Sequence, residues 1–188
     1  MRSEIIRRSA PDYKEIIRVF RDAFPRRERF PDWWIMFVSR REGNDFRAYY
    51  DEEMLVGISC TFSTDRTCFV LYLAVDKALR SRGYGRKILE DIRARNTGKC
   101  IVLCAEYENE NATDYEDRVR RIEFYERNGI VPTGYYYEEI NEKFEVLADT
   151  EGFDPADCQK AMHRICRIKP GPYIKEKPNA NRTCSDVC

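Results

Sequence analysis

Neither sign of charge prevails in this chain: Lys and Arg number 33, Asp and Glu also number 33, and the formal net charge is zero. A balanced chain offers no global attraction for nucleic acid or an anionic membrane surface, so neither is expected as a partner. Long apolar runs are missing too. No stretch approaches the roughly 20 residues of a membrane span, and the opening Met1-Arg2-Ser3-Glu4 lacks a hydrophobic signal segment. A soluble, cytoplasmic protein is the expectation. Histidine is nearly absent, His163 standing alone, and no two of the cysteines form a CxxC pair. A zinc site has little to build from, and no metal is expected. Internal repeats and low-complexity blocks are lacking as well.

What is present points to one domain with an extension. The 188 residues are enough to bury a real core. Eight cysteines are many for a chain with no signal segment: Cys60, Cys68, Cys100, Cys104, Cys158, Cys166, Cys184 and Cys188. The default reading is reduced thiols, several of them buried as small apolar groups. Cys100 and Cys104 share a face of one predicted strand with Val102 and Glu106, too far apart for a disulfide. Cys184 and Cys188 end the tail and could oxidise in vitro.

Glu4–Arg7 reads as a first strand. Ala10-Pro11-Asp12 opens a helix whose apolar face runs from Ile16 to Phe24, and Pro25 stops it. A second helix is expected over Asp32–Arg41, with Asp32 as N-cap. Phe46–Tyr50, Met54–Phe62 and Thr67–Val75 are rich in aromatic and β-branched residues and read as consecutive antiparallel strands. A helix then runs to Asn96, and Ile101-Val-Leu-Cys-Ala105 has the continuous apolar run of a central strand. A helix over 113–128 ends at Gly129, and a hairpin over 131–140 and 143–148 closes the sheet. This pattern alone indicates an α+β or mixed α/β fold. Past Asp149, Asp154-Pro-Ala-Asp157 can start one more helix. The prolines beyond Lys169 suggest a poorly ordered tail.

The most informative stretch is Leu71-Tyr-Leu-Ala-Val75 running into Arg80-Ser-Arg-Gly-Tyr-Gly-Arg-Lys87. A strand feeding a glycine loop at a helix N-terminus is a phosphate-binding device. Free backbone N–H groups and the positive dipole end meet the anion, and Gly83 and Gly85 allow close approach. Arg80, Arg82, Arg86 and Lys87 crowd the same end, where cations oppose the dipole unless an anion is present. The bland alternative is an ordinary capped helix.

With position 80 included, Arg80-x-x-Gly83-x-Gly85 after Leu73-Ala-Val75 resembles the acetyl-CoA pyrophosphate loop of the GCN5-related N-acetyltransferases, the GNAT family. Phe124-Tyr-Glu-Arg-Asn-Gly-Ile130 resembles the late helix of that family and follows in the same order. The resemblance covers residues 1–149 and leaves 150–188 as an extension. It implies a mixed, mostly antiparallel central sheet splayed at strands 4 and 5, with flanking helices. It also implies acetyl-CoA as cosubstrate.

The site residues follow from the resemblance. Backbone groups of Ser81, Arg82, Gly83, Tyr84, Gly85 and Arg86, with Arg80 and Lys87, would hold the pyrophosphate. Leu73, Ala74 and Val75 would run beside the pantetheine arm, with the Leu73 N–H polarising the thioester oxygen. The plain alternative for these three is sheet core, and both readings can hold together. Tyr125 would protonate the departing CoA thiolate, since a tyrosine holds its proton at neutral pH; its plain alternative is a core aromatic. Many members carry Asn where Arg118 stands here, so that cofactor contact is in question.

No carboxylate occurs in Thr67–Val75, and Phe69 stands near the position where some members have a glutamate. Glu106 is the leading base, against a solvated acid or a relay through water. The early helices and the last hairpin would wall the acceptor groove, nominating Phe30, Trp33, Trp34, Tyr135, Tyr136 and Tyr137, with Tyr136 the choice from the hairpin. Glu106, Glu108, Glu110 and Asp114 could attract a cationic amine; aromatic stripes and acidic runs are more often core and solvated surface. Polyamine, aminoglycoside, amino acid and peptide N-terminus all stay open as acceptors, and the protein is expected as a monomer or homodimer. Two other readings stand beside the enzyme: a non-catalytic acyl-CoA-binding module, and a thiol-based metal or redox protein.

Overall fold

Strands buried at most of their positions and aromatic pairs build the first half of the chain. The structure, a computed structural model, describes residues 1–26, 28–107, 112, 114–139, 142–149, 151–165 and 174–177. It forms two compact units, Met1–Lys99 and Cys100–Cys188.

In the first unit, β1 (Arg2–Ile5), β2 (Asn44–Asp51), β3 (Met54–Ser63) and β4 (Thr67–Val75) pair in chain order, each antiparallel to the next. The three predicted consecutive strands are therefore present, each within two residues of its predicted ends. Helices α1 (Tyr13–Ala23), α2 (Asp32–Val38) and α3 (Tyr84–Arg95) belong to this unit. The α1 face of Ile16, Ile17, Val19 and Phe20 is buried, and Phe20 sets its ring edge against Phe46 and Tyr72. Asp32 is not the N-cap of α2. That position is Pro31, and Asp32 instead turns its carboxylate to Arg21 and Arg29.

Ile88, Leu89 and Ile92 of α3 are fully buried, as their spacing predicts. A polar network fastens the far end of this helix: Arg95 reaches Asp45 at 2.5 Å and the Tyr49 hydroxyl at 2.9 Å. Burial pushes the Tyr49 hydroxyl up to about 12, so it stays protonated beside Ser59.

The second unit pairs β5 (Cys100–Glu106) with β7 (Glu142–Asp149), β7 with β6 (Ile130–Glu139), and β6 with the two-residue β8 (Lys175–Glu176), all antiparallel. Helix α4 (Tyr115–Arg127) precedes β6, and Gly129, at φ 76°, makes the turn between them. Helix α5 (Pro155–His163) starts where Asp154 caps it, accepting from the Ala156 and Asp157 N–H groups. Cys158, Ala161 and Met162 bury its inner face. The Ile174 N–H then donates to Gln159 Oε1, and Lys177 bonds Glu145 at 2.7 Å. The tail cysteines 166, 184 and 188 and the predicted proline-containing segment lie outside the described residues.

Candidate functional site

In the first unit, β4 ends at Val75 and Asp76 turns the chain. The Asp76 N–H donates to the Val56 carbonyl, while its carboxylate accepts from the Ala78 N–H at 2.9 Å and from Arg18 at 2.6 Å. The Arg18 guanidinium, then the Ala78 N–H, hold the Asp76 carboxyl below the usual carboxylate range. A turn of 3-10 helix, Lys77–Leu79, follows, with Leu79 buried as its anchor.

The glycine loop is next. Ser81 and Gly83 both adopt positive φ, 62° and 80°. For Ser81 this is backbone strain of the kind that collects at ligand-binding turns, and Gly83 meets the requirement without a Cβ. Gly83 is the N-cap of α3, and no side chain caps it. The first turn of the helix therefore keeps its free N–H groups for an external anion. Tyr84 is buried and donates to Asp51 at 2.7 Å, clamping the loop to the end of β2.

The cations here are not equivalent. Arg86 pairs with Glu90 at 2.8 Å, and the Lys87 ammonium sits 5.3 Å from the Tyr84 ring. Arg80 and Arg82 are exposed, and none of the described carboxylates forms a salt bridge with either. Free N–H groups, a strained turn and two exposed guanidiniums without salt bridges to described carboxylates together fit a diphosphate.

On β4 itself, Leu73 and Val75 are half-buried, whereas Tyr72 and Ala74 face the core. The pairing of β4 with β3 slips between Cys60 and Thr61, which leaves Leu71 as an extra residue in the strand. Such a bulge re-aims the following backbone groups, Leu73 among them. Two of the nominated aromatics of this unit lie side by side. Trp33 and Trp34 meet edge-on at 5.7 Å, and the Phe30 N–H donates to the Tyr72 hydroxyl at 2.9 Å.

Two residues missed in the sequence prove central. Tyr72 fastens the loop before α2 to β4, both by accepting from Phe30 and by donating to the Glu28 carbonyl. Gly57 of β3 lies so close to β4 and α3 that an added Cβ would stand 2.4 Å from the Ala74 carbonyl oxygen and 2.9 Å from Ile88 Cδ1. A glycine inside a strand was the available signal for the second; a tyrosine in an aromatic strand gives none.

In the second unit, Tyr125 of α4 is buried against Phe124, ring centroids 5.2 Å apart. Burial raises its pKa, and nearby Arg121 partly offsets the rise. Glu106 is also buried, but both of its oxygens are engaged: Arg121 lies 2.7 Å from Oε2 and Arg118 lies 3.4 Å from Oε1. Each oxygen of this carboxylate thus faces a guanidinium. Arg118 is 5 % exposed and also bonds Asp114 and the Tyr107 carbonyl, so it ties the start of α4 to the end of β5. Glu106 and Asp114 are thus ion-paired, Asp114 keeping a partly exposed carboxylate, and Glu108 and Glu110 lie outside the described residues. Tyr136 is half-buried with Lys143 over its ring at 5.5 Å, Tyr137 stacks on Phe144, and Tyr135 leans on Phe153. Among the described residues no group of His, Cys, Asp and Glu could hold a metal, and no helix is long and apolar enough to cross a membrane. Cys60, Cys68, Cys100, Cys104 and Cys158 are free thiols.

The architecture is the mixed α/β fold of the acyl-CoA N-acyltransferases. A GNAT-family protein from Bacteroides thetaiotaomicron superposes with a TM-score of 0.67 at 23% identity, covering 87% of this chain and 94% of its own. An aminoglycoside 6'-N-acetyltransferase complexed with coenzyme A gives 0.60 at 16%, covering 79% and 96%. A GNAT acetyltransferase from Elizabethkingia anophelis with acetyl-CoA bound gives 0.54 at 11%, again covering 79% and 96%. At these identities the likeness establishes the fold. No curated protein matches the chain. Residues 42–130, from the approach to β2 through the start of β6, match the acetyltransferase (GNAT) domain family. That stretch of the chain is similar to an acetyltransferase (GNAT) domain.

Proposed function

We propose that this protein transfers the acetyl group of acetyl-CoA to a primary amine by direct attack in a ternary complex. The observation that carries the reading is the glycine loop: positive φ at Ser81 and Gly83, uncapped N–H groups on α3, and Arg80 and Arg82 without salt-bridge partners among the described residues. The loop residues Arg80–Lys87 hold the diphosphate, and Leu73, Ala74 and Val75 offer backbone groups to the pantetheine and thioester. The bulge at Leu71 supports this role, since it interrupts the regular β3–β4 ladder two residues before Leu73. An incoming neutral amine attacks the thioester carbon, the Leu73 N–H steadies the oxyanion, and Tyr125 gives its proton to the departing thiolate. Glu106 braces Arg118 and Arg121 through its two oxygens, and the amine is assigned to lose its proton through water. Residues 1–149 form the catalytic domain, and 150–188 are an extension of it.

The test is release of free CoA thiol from acetyl-CoA on addition of amines: amino acids, peptides with free N-termini, aminoglycosides and polyamines. At least one class should stimulate release at least tenfold over the hydrolysis background. Tight acetyl-CoA binding with no stimulation by any amine would instead mark a non-catalytic binding module.

A further inference from the structure

The first unit holds a cavity of about 630 Å³ bounded by α1, the loop before α2 and the first turn of α2. That volume suits a metabolite or a short peptide end. Its lining is strongly basic: Arg8, Lys14, Arg21, Arg26 and Arg29 all contribute. Asp32 is the single carboxylate among the lining residues, and it is already shared by Arg21 and Arg29, each at 3.2 Å. None of the described carboxylates forms a salt bridge with Arg8, Lys14 or Arg26. Like charges gathered on one concave wall repel one another and focus a positive potential into it.

Arg29 adds an independent sign. Its side chain is 18 % exposed, its guanidinium lies 6.0 Å from the Phe20 ring, and its Nε is buried without a hydrogen-bond acceptor among the described residues. A buried guanidinium donor left unpaired is costly, and Arg29, one of the cavity's lining residues, has Asp32 as its one salt-bridge partner among the described residues. Trp33, 62 % exposed, offers a flat apolar face on the same wall.

The cavity also has a rigid link to β4. The loop that carries Arg26 and Arg29 is fastened by its Glu28 carbonyl and Phe30 N–H to the hydroxyl of Tyr72. Tyr72 is the residue immediately before Leu73 and is itself wedged against Phe20 and Phe24. The basic wall is therefore held in register with the strand to which the thioester is assigned.

We propose that the acceptor amine also bears an anionic group, a carboxylate or a phosphate, and that this cavity binds that group; the proposal rests on the acetyl-transfer reading above. The positive wall disfavours polyamines and aminoglycosides, whose additional charges would face guanidiniums.

The test uses pairs of acceptors that differ in one charge, in the thiol-release assay with the full chain: O-phosphoethanolamine against ethanolamine, and Gly-Glu against Gly-Gln. Spermidine serves as the polycation. The anionic member of at least one pair should have the higher kcat/KM by about tenfold or more, as for a charge-assisted contact. Which pair responds separates a phosphate from a carboxylate. In a Lys14→Gln/Arg26→Gln variant of unchanged thermal midpoint, that preference should shrink below about threefold. Equal use of both members, preference for spermidine, or a preference that survives in the variant would overturn the proposal. Calorimetry gives a readout free of turnover. Heat with O-phosphoethanolamine or Gly-Glu that is lost in the variant, with no amine acetylated, supports the anion site and sinks the acetyl-transfer reading. No heat with either probe overturns the site itself.

Discussion

Tyr125→Phe is expected to lower kcat roughly 100-fold or more, the usual scale for losing a general acid, while acetyl-CoA affinity changes by less than about threefold. The substitution removes one oxygen and leaves the ring in place against Phe124, so the packing of α4 survives. What the substitution removes is the proton assigned above to the leaving thiolate. Burial holds that proton more tightly than in a free tyrosine, with Arg121 offsetting only part of the effect. Wild-type turnover should accordingly show no loss from tyrosine ionisation anywhere in the range where a free tyrosine keeps its proton. Steady-state kinetics of both proteins, with acetyl-CoA binding measured separately, checks this. A kcat within about threefold of wild type would reduce Tyr125 to a core aromatic.

Gly57→Ala should be the most damaging single methyl group in the first unit. The new Cβ would meet the Ala74 carbonyl oxygen at 2.4 Å and Ile88 Cδ1 at 2.9 Å. The first contact is with backbone and cannot be relieved by a rotamer change, so β4 or α3 has to move. Overpacking of this kind costs roughly 2–3 kcal/mol, or a thermal midpoint lower by about 5–10 °C for a chain of this size. Because the displaced atoms belong to the strand assigned to pantetheine, acetyl-CoA affinity should fall as well. Gly98→Ala is the control. Its Cβ meets nothing within 4 Å, so only the positive φ of 80° opposes it, at about 1 kcal/mol. Thermal unfolding of the two variants beside wild type decides the matter, and equal midpoints would contradict the packing argument.

The sequence carried the parts of this protein that repeat locally. Richness in aromatic and β-branched residues placed β2, β3 and β4, and the spacing of Ile88, Leu89 and Ile92 puts them on one face of α3, the face found buried. The glycine loop was legible because Gly83 and its neighbours combine a helix start with concentrated charge. Partnerships formed across distance were not. Asp32 has the residue type of an N-cap, yet two arginines compete for its carboxylate and Pro31 takes the cap position. Glu106 ends its strand where a base could stand, but only the fold brings Arg118 and Arg121 to its two oxygens. Arg118 itself, noted in sequence as a departure from the family, is a buried tie between α4 and β5. Tyr72 and Gly57 had no legible role for the same reason: each acts through elements remote in sequence, the loop at residues 28–30 in one case and Ile88 in the other.

The binding of CoA by the loop at residues 80–87 is tested most directly by titration calorimetry of the wild-type chain with acetyl-CoA and with CoA, alongside Gly83→Val. Valine strains the left-handed N-cap of α3, at φ 80°, without filling occupied space. Both ligands should give saturable heat at one site per chain, and the variant should bind at least tenfold more weakly. A folded wild-type protein that gives no heat with either ligand, or a variant that binds as tightly as wild type, would contradict the account.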